Sequence, residues 1–197
     1  MLTALVLVAL AAIVAIALGV VMGYWRRAYE AGEITIELLR AVPPPVMIPV
    51  AMVFFGIGDA TKVFTIFFTC SFPILVNTID GVRGVDPVLI RTARTFGLSS
   101  RQIVGKVILP AAAPFIMSGL RIATAIALIL VVVSEMIGAT SGIGYFILGN
   151  QRSLNVMKMY AGLFVLALLG YAVNRVFVAV DARLMAWHKG LTNHAGT

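Results

Sequence analysis

Length, composition and charge exclude a water-soluble globular domain. The 197 residues are 61% hydrophobic and 12% charged, with a mean hydropathy of +1.04, which is the composition of an integral membrane protein. The net charge of +7 does not indicate nucleic-acid binding, because the basic residues lie in short loops between apolar runs and form no stripe with interleaved aromatics.

Apolar runs predict an all-α, polytopic membrane protein with about five spans. The first run, Leu2 to Met22, carries no charge, and its length at about 1.5 Å per residue reaches across a hydrocarbon core of roughly 30 Å. Gly19 and Gly23 form a GxxxG pattern, which either lets another helix approach closely or arises by chance. We predict one domain, 1–197, with spans at about 2–24, 34–56, 62–78, 111–137 and 159–180.

Prolines interrupt the second predicted span. It follows a polar elbow, 30–40, in which Glu37 and Arg40 are spaced for an i,i+3 pair. Consecutive prolines remove amide donors, so the helix must break or kink near them. Two interpretations remain open at this point: a helix start at the cytoplasmic interface, and a kink that lines a pathway. The prolines are Pro43, Pro44, Pro45 and Pro49.

Lysine and arginine counts assign the sides of the membrane. Segments 25–40, 79–110 and 175–197 contain three, five and three of them, whereas Lys62, Arg152 and Lys158 lie in the alternate segments. Because basic residues concentrate in cytoplasmic loops, the three rich segments are predicted to be cytoplasmic. The N-terminus is then outside and the C-terminus inside.

Catalytic and metal-binding patterns are weak in this sequence. His188 and His194 lie in the polar tail without carboxylate or cysteine spacing for a metal, so we assign no metal site. The stretch 97–106 has the wrong spacing for a phosphate loop. Ser134 has no neighbouring histidine base in the sequence, and the single cysteine excludes an intrachain disulfide. We therefore do not expect an enzyme.

Two charges fall inside the fourth span. Arg121 and Glu135 are about 21 Å apart along a helix, too far to pair with each other. An intramembrane charge costs about 2.5–3.5 kcal/mol unless it is satisfied, which makes both residues functional candidates. Arg121 either snorkels or pairs toward the cytoplasm, or serves the pathway. Glu135 either lines or gates a path, or makes a structural contact such as capping the glycine-rich turn that follows.

Several segments in order resemble the permeases of binding-protein-dependent ABC importers. RTARTFG at 91–97, nine residues and then VILP at 107–110 resemble their EAA loop, in which two short helices flank a glycine and a hydrophobic-x-Leu-Pro signature follows. FPILVNT at 72–78, GVR at 81–83, SGLR at 118–121 and SEMI at 134–137 resemble the sulfonate, nitrate and taurine branch. The resemblance covers nearly the whole chain.

The resemblance implies a MetI-like permease core in the bacterial inner membrane, with a cytoplasmic coupling loop at 79–110. Expected partners are a second permease, by default an identical copy, two cytoplasmic ATPase subunits and a periplasmic or lipid-anchored solute-binding protein, within membrane lipid. No cofactor is expected on this chain, since ATP and Mg would be bound by the ATPase. The ATPase-coupling candidates are Arg91, Ala93, Arg94, Gly97, Leu98, Ser99, Arg101 and Pro110, and the pathway or gating candidates are Glu135, Arg121 and Asn77.

The sequence departs from the family pattern in two places. Arg91 stands where the loop usually begins with glutamate, so the contact that family members make there with an acidic side chain is either absent or reversed in sign. Permeases of this branch commonly have six spans, so the resemblance places a further span ahead of Leu2. The expected solute is a small anion such as a sulfonate, taurine or nitrate. The alternatives are an ATP-independent channel or secondary-transporter subunit, and a scaffold subunit without transport.

Overall fold

The computed structural model describes the backbone of residues 2–185 and the side chains of residues 6–185, and this part of the chain is helical without a β-strand. Within it nine α-helices follow one another along the chain. They are α1 Leu2–Tyr24, α2 Arg26–Arg40, α3 Met47–Phe55, α4 Asp59–Arg83, α5 Pro87–Thr95, α6 Ser100–Ile103, α7 Leu109–Gly138, α8 Ile143–Arg152 and α9 Val156–Leu184.

Four helical segments of the described chain are long and apolar enough to cross a membrane. A fifth crossing arises if α2 and the segment Pro44–Phe55, which are bent by 79° at their junction, count as one broken span. The prediction of an all-helical, multi-pass protein with about five spans is confirmed. The four long segments are Val6–Tyr24, Asp59–Arg83, Ser100–Gly138 and Val156–Leu184.

The proline-rich segment breaks the helix as predicted. Helix α2 ends at Arg40, a 3₁₀ turn spans Pro44–Val46, and α3 begins at Met47. Prolines cannot donate the amide hydrogen bonds that would continue α2, and each disfavours helical conformation in the residue before it. The predicted pair within the elbow forms, with Arg40 Nη2 3.4 Å from Glu37 Oε1.

The described residues fall into two compact units that divide between Ser134 and Glu135. In the first unit, α1 packs along α4 at two glycines. A Cβ on Gly19 would lie 2.6 Å from Thr78 Cβ, and one on Gly23 would lie 2.6 Å from Val82 Cβ. The GxxxG pattern therefore allows the close approach of another helix, which is the first of the two interpretations that the sequence left open.

The core of the first unit lies between α1, α4 and α7. Buried alanines of α1 and α7 face the middle of α4, where Cys70 and Ile74 are fully buried. The thiol of Cys70 lies 3.4 Å from the carbonyl oxygen of Ala123 and donates to it. Small residues on the two flanking helices explain how α1 and α7 pack so closely against α4.

In the second unit, α8 packs against α9. Gly162 of α9 faces Phe146 and Ile147 of α8, so that a Cβ at this glycine would lie 2.9 Å from a side-chain carbon of Ile147. The predicted spans end at 137 and resume at 159, which leaves the segment between them without a predicted helix. The helix α8 within it is an addition to the predicted elements.

The fourth span begins earlier than predicted. Helical structure is continuous from Ser100 to Gly138 and passes through Pro110 instead of starting after it. A wider π turn, Val104–Ile108, joins α6 to α7, and Leu109 N–H donates to the carbonyl of Val104, five residues back. Pro110 has no N–H to donate, and a π turn is one way in which a helix accommodates such an interruption.

Candidate functional site

The first helix of the predicted coupling loop has a well-defined start and end. Asp86 caps α5 by accepting the Val88 N–H at 2.8 Å, which satisfies an amide that lacks a helical partner. At the other end, the Gly97 N–H donates to the backbone carbonyl oxygen of Arg94 at 2.9 Å. The Leu98 N–H donates to the backbone carbonyl oxygen of Ala93 at 3.1 Å. These two bonds form a Schellman motif, which requires the positive φ of +75° at Gly97.

The second helix of the loop begins with a capping box. Ser99 Oγ accepts the Gln102 N–H, and Gln102 Oε1 accepts the Ser99 N–H at 2.8 Å. This reciprocal pair fixes the start of α6. Helix α6 continues through the π turn into α7, so the second helix of the loop and the fourth span form one continuous helical segment.

Apolar side chains hold the loop against the ends of α4 and α7. Ala93 is 7% exposed and belongs to the same buried cluster as Val82, Ile103 and Ile108, against which Leu98 also packs. Two of the predicted coupling residues, Ala93 and Leu98, therefore lie where they set the position of the loop. Pro110 is half-buried in the helix that follows.

The exposed surface of the loop combines basic side chains with apolar ones, among them Val88 and Leu89 of α5. The predicted residues Arg91, Arg94, Ser99 and Arg101 are all exposed on it. Phe96, which is not among the predicted coupling residues, is 78% exposed. An aromatic residue directly before the helix-ending glycine of a polar loop is the signal that could have identified it. The face combines cationic groups with an apolar contact, a combination suited to binding another protein.

Glu135 lies against the glycine-rich turn after α7. Its Oε2 accepts the N–H of Gly144 at 2.9 Å, and its carboxylate fills the space that a Cβ on Gly142 would need. The carboxylate therefore caps the first turn of α8, where free amides and the helix dipole favour a negative charge. This is the contact expected of the structural alternative. A pathway or gating role for Glu135 stays a prediction.

The other two pathway candidates lie in the first unit. Arg121 is exposed on α7, and within residues 6–185 no carboxylate lies within 4.0 Å of it. Asn77 is half-buried on α4, where its Nδ2 donates to the carbonyl of Pro73 at 2.8 Å. No group of three or more potential metal ligands occurs within the described residues. His188 and His194 lie outside them.

A cavity of about 570 Å³ lies beside Asn77, between the α2–α3 break and α4. A second cavity of about 210 Å³ adjoins it and shares Glu37 and Arg40 in its lining. The proline break thus borders an opening in the first unit, and the pathway interpretation of the kink stays a prediction. The larger cavity is lined among others by Glu37, Arg40, Phe68, Thr69, Phe72 and Asn77.

Long apolar helices joined through an exposed two-helix loop define a multi-pass membrane protein. The family model described as "binding-protein-dependent transport system inner membrane component" matches residues 5–186. The chain therefore belongs to this family, whose members are permease subunits of ABC transporters, and it is a multi-pass component of the inner membrane. The resemblance seen in the sequence is confirmed.

Two curated relatives agree with this assignment. The chain is 38% identical to a putative ABC transporter permease of Methanocaldococcus jannaschii over 91% of its own length and 68% of the relative. It is 32% identical to a putative aliphatic sulfonates transport permease of Bacillus subtilis, over 86% of its length and 62% of the relative. The chain thus spans about two thirds of the length of these relatives.

The fold is similar to that of a chain from the MetNI methionine ABC transporter in an inward-facing conformation. The TM-score is 0.70 at 19% identity, and the match covers 90% of this chain and 91% of the other. At this identity the similarity concerns the fold alone. It confirms the MetI-like architecture predicted from the sequence.

Proposed function

We propose that this chain forms the translocation pathway of an ATP-driven ABC importer and is itself non-catalytic. ATP and Mg would be bound and ATP hydrolysed by two cytoplasmic ATPase subunits. A second copy of the permease would complete the pathway, and a periplasmic or lipid-anchored binding protein would deliver the solute. A small anion such as a sulfonate, taurine or nitrate is the proposed solute, a class supported by the relative that is named for aliphatic sulfonates.

The α5–α6 element is the observation that supports ATP-driven coupling. Its two short helices are fixed by the Schellman motif at Gly97 and the capping box at Ser99, and its exposed face is basic with Phe96 at the end of α5. A rigid, exposed element that continues into a membrane span is suited to convert the closure of a partner into movement of the span. A channel or secondary transporter has no need of such an element.

The assignment of roles follows the exposure of the side chains. Arg91, Arg94, Ser99, Arg101 and Phe96 would contact the ATPase. Ala93 and Leu98 would hold the loop in position from behind, and Gly97 and Pro110 would set its backbone. Arg91 places a cation where other permeases of this branch usually carry a carboxylate, so the matching surface of the ATPase is expected to be acidic at that point.

Purification of the tagged chain from its native membrane in mild detergent tests this proposal. We expect an ATPase subunit to copurify, and the charge reversals Arg94→Glu and Arg101→Glu to reduce its recovery at least about tenfold, because each places like charges in the contact. Arg152→Glu is the matched control, since Arg152 is also exposed but lies on the face predicted to be extracytoplasmic.

The outcomes separate the candidate functions. Loss of the ATPase in the loop variants alone, with normal membrane levels of the permease, supports the importer. A stable permease complex that contains no ATPase would contradict it and would favour an ATP-independent channel or secondary transporter. Equal loss in all three variants would mean that general stability, and not docking, had changed.

A further inference from the structure

We propose that Arg83 and Tyr29 form a contact that transmits movement of the α5–α6 element to helix α2 and to the α2–α3 break. This inference rests on the proposed ATP-driven function and adds a pair of positioning residues to it. The guanidinium carbon of Arg83 lies 4.0 Å from the centroid of the Tyr29 ring, which is the geometry of a cation–π contact. The contact joins the last residue of α4 to the first turn of α2.

Helix α2 lies between two breaks in the helical backbone. Trp25 is extended between α1 and α2, with φ −105° and ψ 109°. At its other end, α2 meets the helical segment Pro44–Phe55 at a bend of 79°. No residue of α2 is buried. The orientation of this helix therefore depends on a small number of side-chain contacts with the rest of the first unit.

The space between α2 and α4 gives the two helices room to move relative to each other. A cavity of about 210 Å³ lies between them. An interface that contains a cavity lacks packing contacts over that area, so the Arg83–Tyr29 contact bridges a loosely packed part of the first unit. The cavity is lined among others by Tyr29, Glu33 and Ile36 of α2 and by Val76, Ile79 and Asp80 of α4.

Glu33 holds the Tyr29 ring in place for this contact. The Tyr29 hydroxyl donates to Glu33 Oε1 at 2.6 Å, one turn along α2. A carboxylate acceptor polarises the phenol and leaves its ring more electron-rich, which strengthens the attraction of a cation to the ring face. Arg83 is exposed, and no carboxylate among residues 6–185 lies within 4.0 Å of it. The Tyr29 ring is therefore the contact that the described residues provide for this cation.

Arg83 is closely connected to the α5–α6 element. Val82 directly before it and Val85 two residues after it are buried in the same apolar cluster as Ala93 of α5. Asp86, three residues after Arg83, caps α5. A displacement of α5 would therefore move the backbone that carries the guanidinium, and the guanidinium would draw the Tyr29 ring and α2 with it.

The strength of the contact suits a connection that breaks and forms again. A cation–π contact at an exposed site changes an equilibrium between two arrangements by about two- to fivefold. A bias of this size is enough to make α2 follow the loop. It is too small to hold α2 in one position against the closure of a bound ATPase.

Hydrogen exchange of the backbone amides tests the transmission in the full-length permease, copurified with its ATPase and reconstituted in lipid nanodiscs. Two states are compared, one without nucleotide and one with Mg-ATP and orthovanadate, which arrests the ATPase. In the wild type we expect nucleotide to change exchange in 87–103, the α5–α6 element, and also in 26–40, helix α2. The comparison requires no solute.

Variants separate the contact from the loop. Arg83→Gln removes the cation and Tyr29→Leu removes the ring, and in each the response of 26–40 to nucleotide should fall about two- to fivefold while that of 87–103 is kept. Arg83→Lys keeps a cation and should retain more than half of the response. The double variant should lose no more than either single variant, because both remove the same contact. Arg27→Gln is the matched control, an exposed cation of α2 outside this contact, and should respond as the wild type does.

Three results would overturn the inference without affecting the proposed function. The first is a wild type in which 26–40 does not respond to nucleotide. The second is a normal response of 26–40 in both Arg83→Gln and Tyr29→Leu. The third is faster exchange of 26–40 in both variants with an unchanged difference between the two states, which would make the contact purely structural. The proposed function fails by a different readout, the absence of the ATPase from the purified complex.

Discussion

The carboxylate of Glu135 caps the helix that follows it by accepting the N–H of Gly144 at 2.9 Å. Helix α8 begins after Gly142, a residue without a side chain of its own to supply a cap. Glu135, at the end of α7, supplies the missing acceptor across the turn. An acidic residue inside a predicted span is thereby satisfied by a local contact, which lowers the cost of its charge in the membrane.

We expect Glu135→Ala to destabilise the protein by about 0.5–2 kcal/mol, as loss of an N-cap does. Glu135→Gln keeps an oxygen acceptor and should recover more than half of this loss. Thermal unfolding in detergent measures the difference. Similar melting temperatures for all three proteins would show that the cap contributes nothing to stability. Uptake by Glu135→Gln tests the gating role separately.

Gly142→Ala should be at least as damaging as loss of the carboxylate. The backbone at Gly142 has φ +120°, and an added Cβ would overlap the carboxyl group of Glu135. The added methyl group therefore strains the backbone at position 142 and displaces the Glu135 carboxylate from its capping position. Gly149→Ala in α8 is the control, because nothing lies within 4 Å of its Cβ position, and alanine is the better helix former by about 1 kcal/mol. Opposite changes in melting temperature are expected.

Close packing of α1 on α4 predicts a strong effect of one methyl group. Gly19→Ala places a Cβ 2.6 Å from Thr78 Cβ and should cost about 1–3 kcal/mol, as overpacking does. Ala17→Val adds more volume to an exposed position of the same helix and should change stability by less than about 0.5 kcal/mol. The fraction of monodisperse protein after heating in detergent measures both. Equal sensitivity would contradict the packing role of Gly19.

The elements that depend on neighbouring residues in the sequence were predicted correctly. The charge-free run of α1 is enough to span a bilayer, and the prolines after Arg40 cannot continue a helix. The two-helix loop around Gly97 followed from its similarity to one family motif. These features are set by neighbouring residues, so they are readable without knowledge of the fold.

Features that depend on distant or cooperative contacts were not predicted. The contact between Arg83 and the Tyr29 ring is visible only once the packing around α4 is known. The contact between Glu135 and the Gly144 N–H could not be predicted as such, because it depends on how the turn after α7 folds back. The helix continues through Pro110, which has no N–H, with a wider π turn at Val104–Ile108 directly before it. No single residue type specifies such a change in the backbone hydrogen-bond pattern.

Phe96 provides a test of docking that does not depend on charge. Because it is 78% exposed, Phe96→Ser should leave the melting temperature nearly unchanged while it reduces ATPase recovery at least about tenfold, as expected for an aromatic anchor of an interface. Leu154→Ser is the control, since Leu154 is 84% exposed in the turn before α9. Normal ATPase recovery with Phe96→Ser would remove Phe96 from the proposed contact.

Gly97 tests whether coupling depends on the conformation of the loop. Its φ of +75° is in the left-handed region, and nothing lies within 4 Å of its Cβ position. The cost of a side chain at this position is therefore backbone strain alone. This strain is about 1–2 kcal/mol for alanine and less for asparagine, which adopts this conformation more readily. Gly105→Ala is the control, because its Cβ position is equally open and its φ is not positive.

We expect Gly97→Ala to increase hydrogen exchange of the backbone amides at positions 97 and 98, whose N–H groups form the Schellman bonds. ATPase activity stimulated by solute should fall in the order wild type, Gly97→Asn, Gly97→Ala, because each substitution makes the two-helix element less rigid. Faster exchange in Gly97→Ala with unchanged stimulated activity would show that the Schellman motif serves stability alone, and that the ATPase contact tolerates movement between α5 and α6.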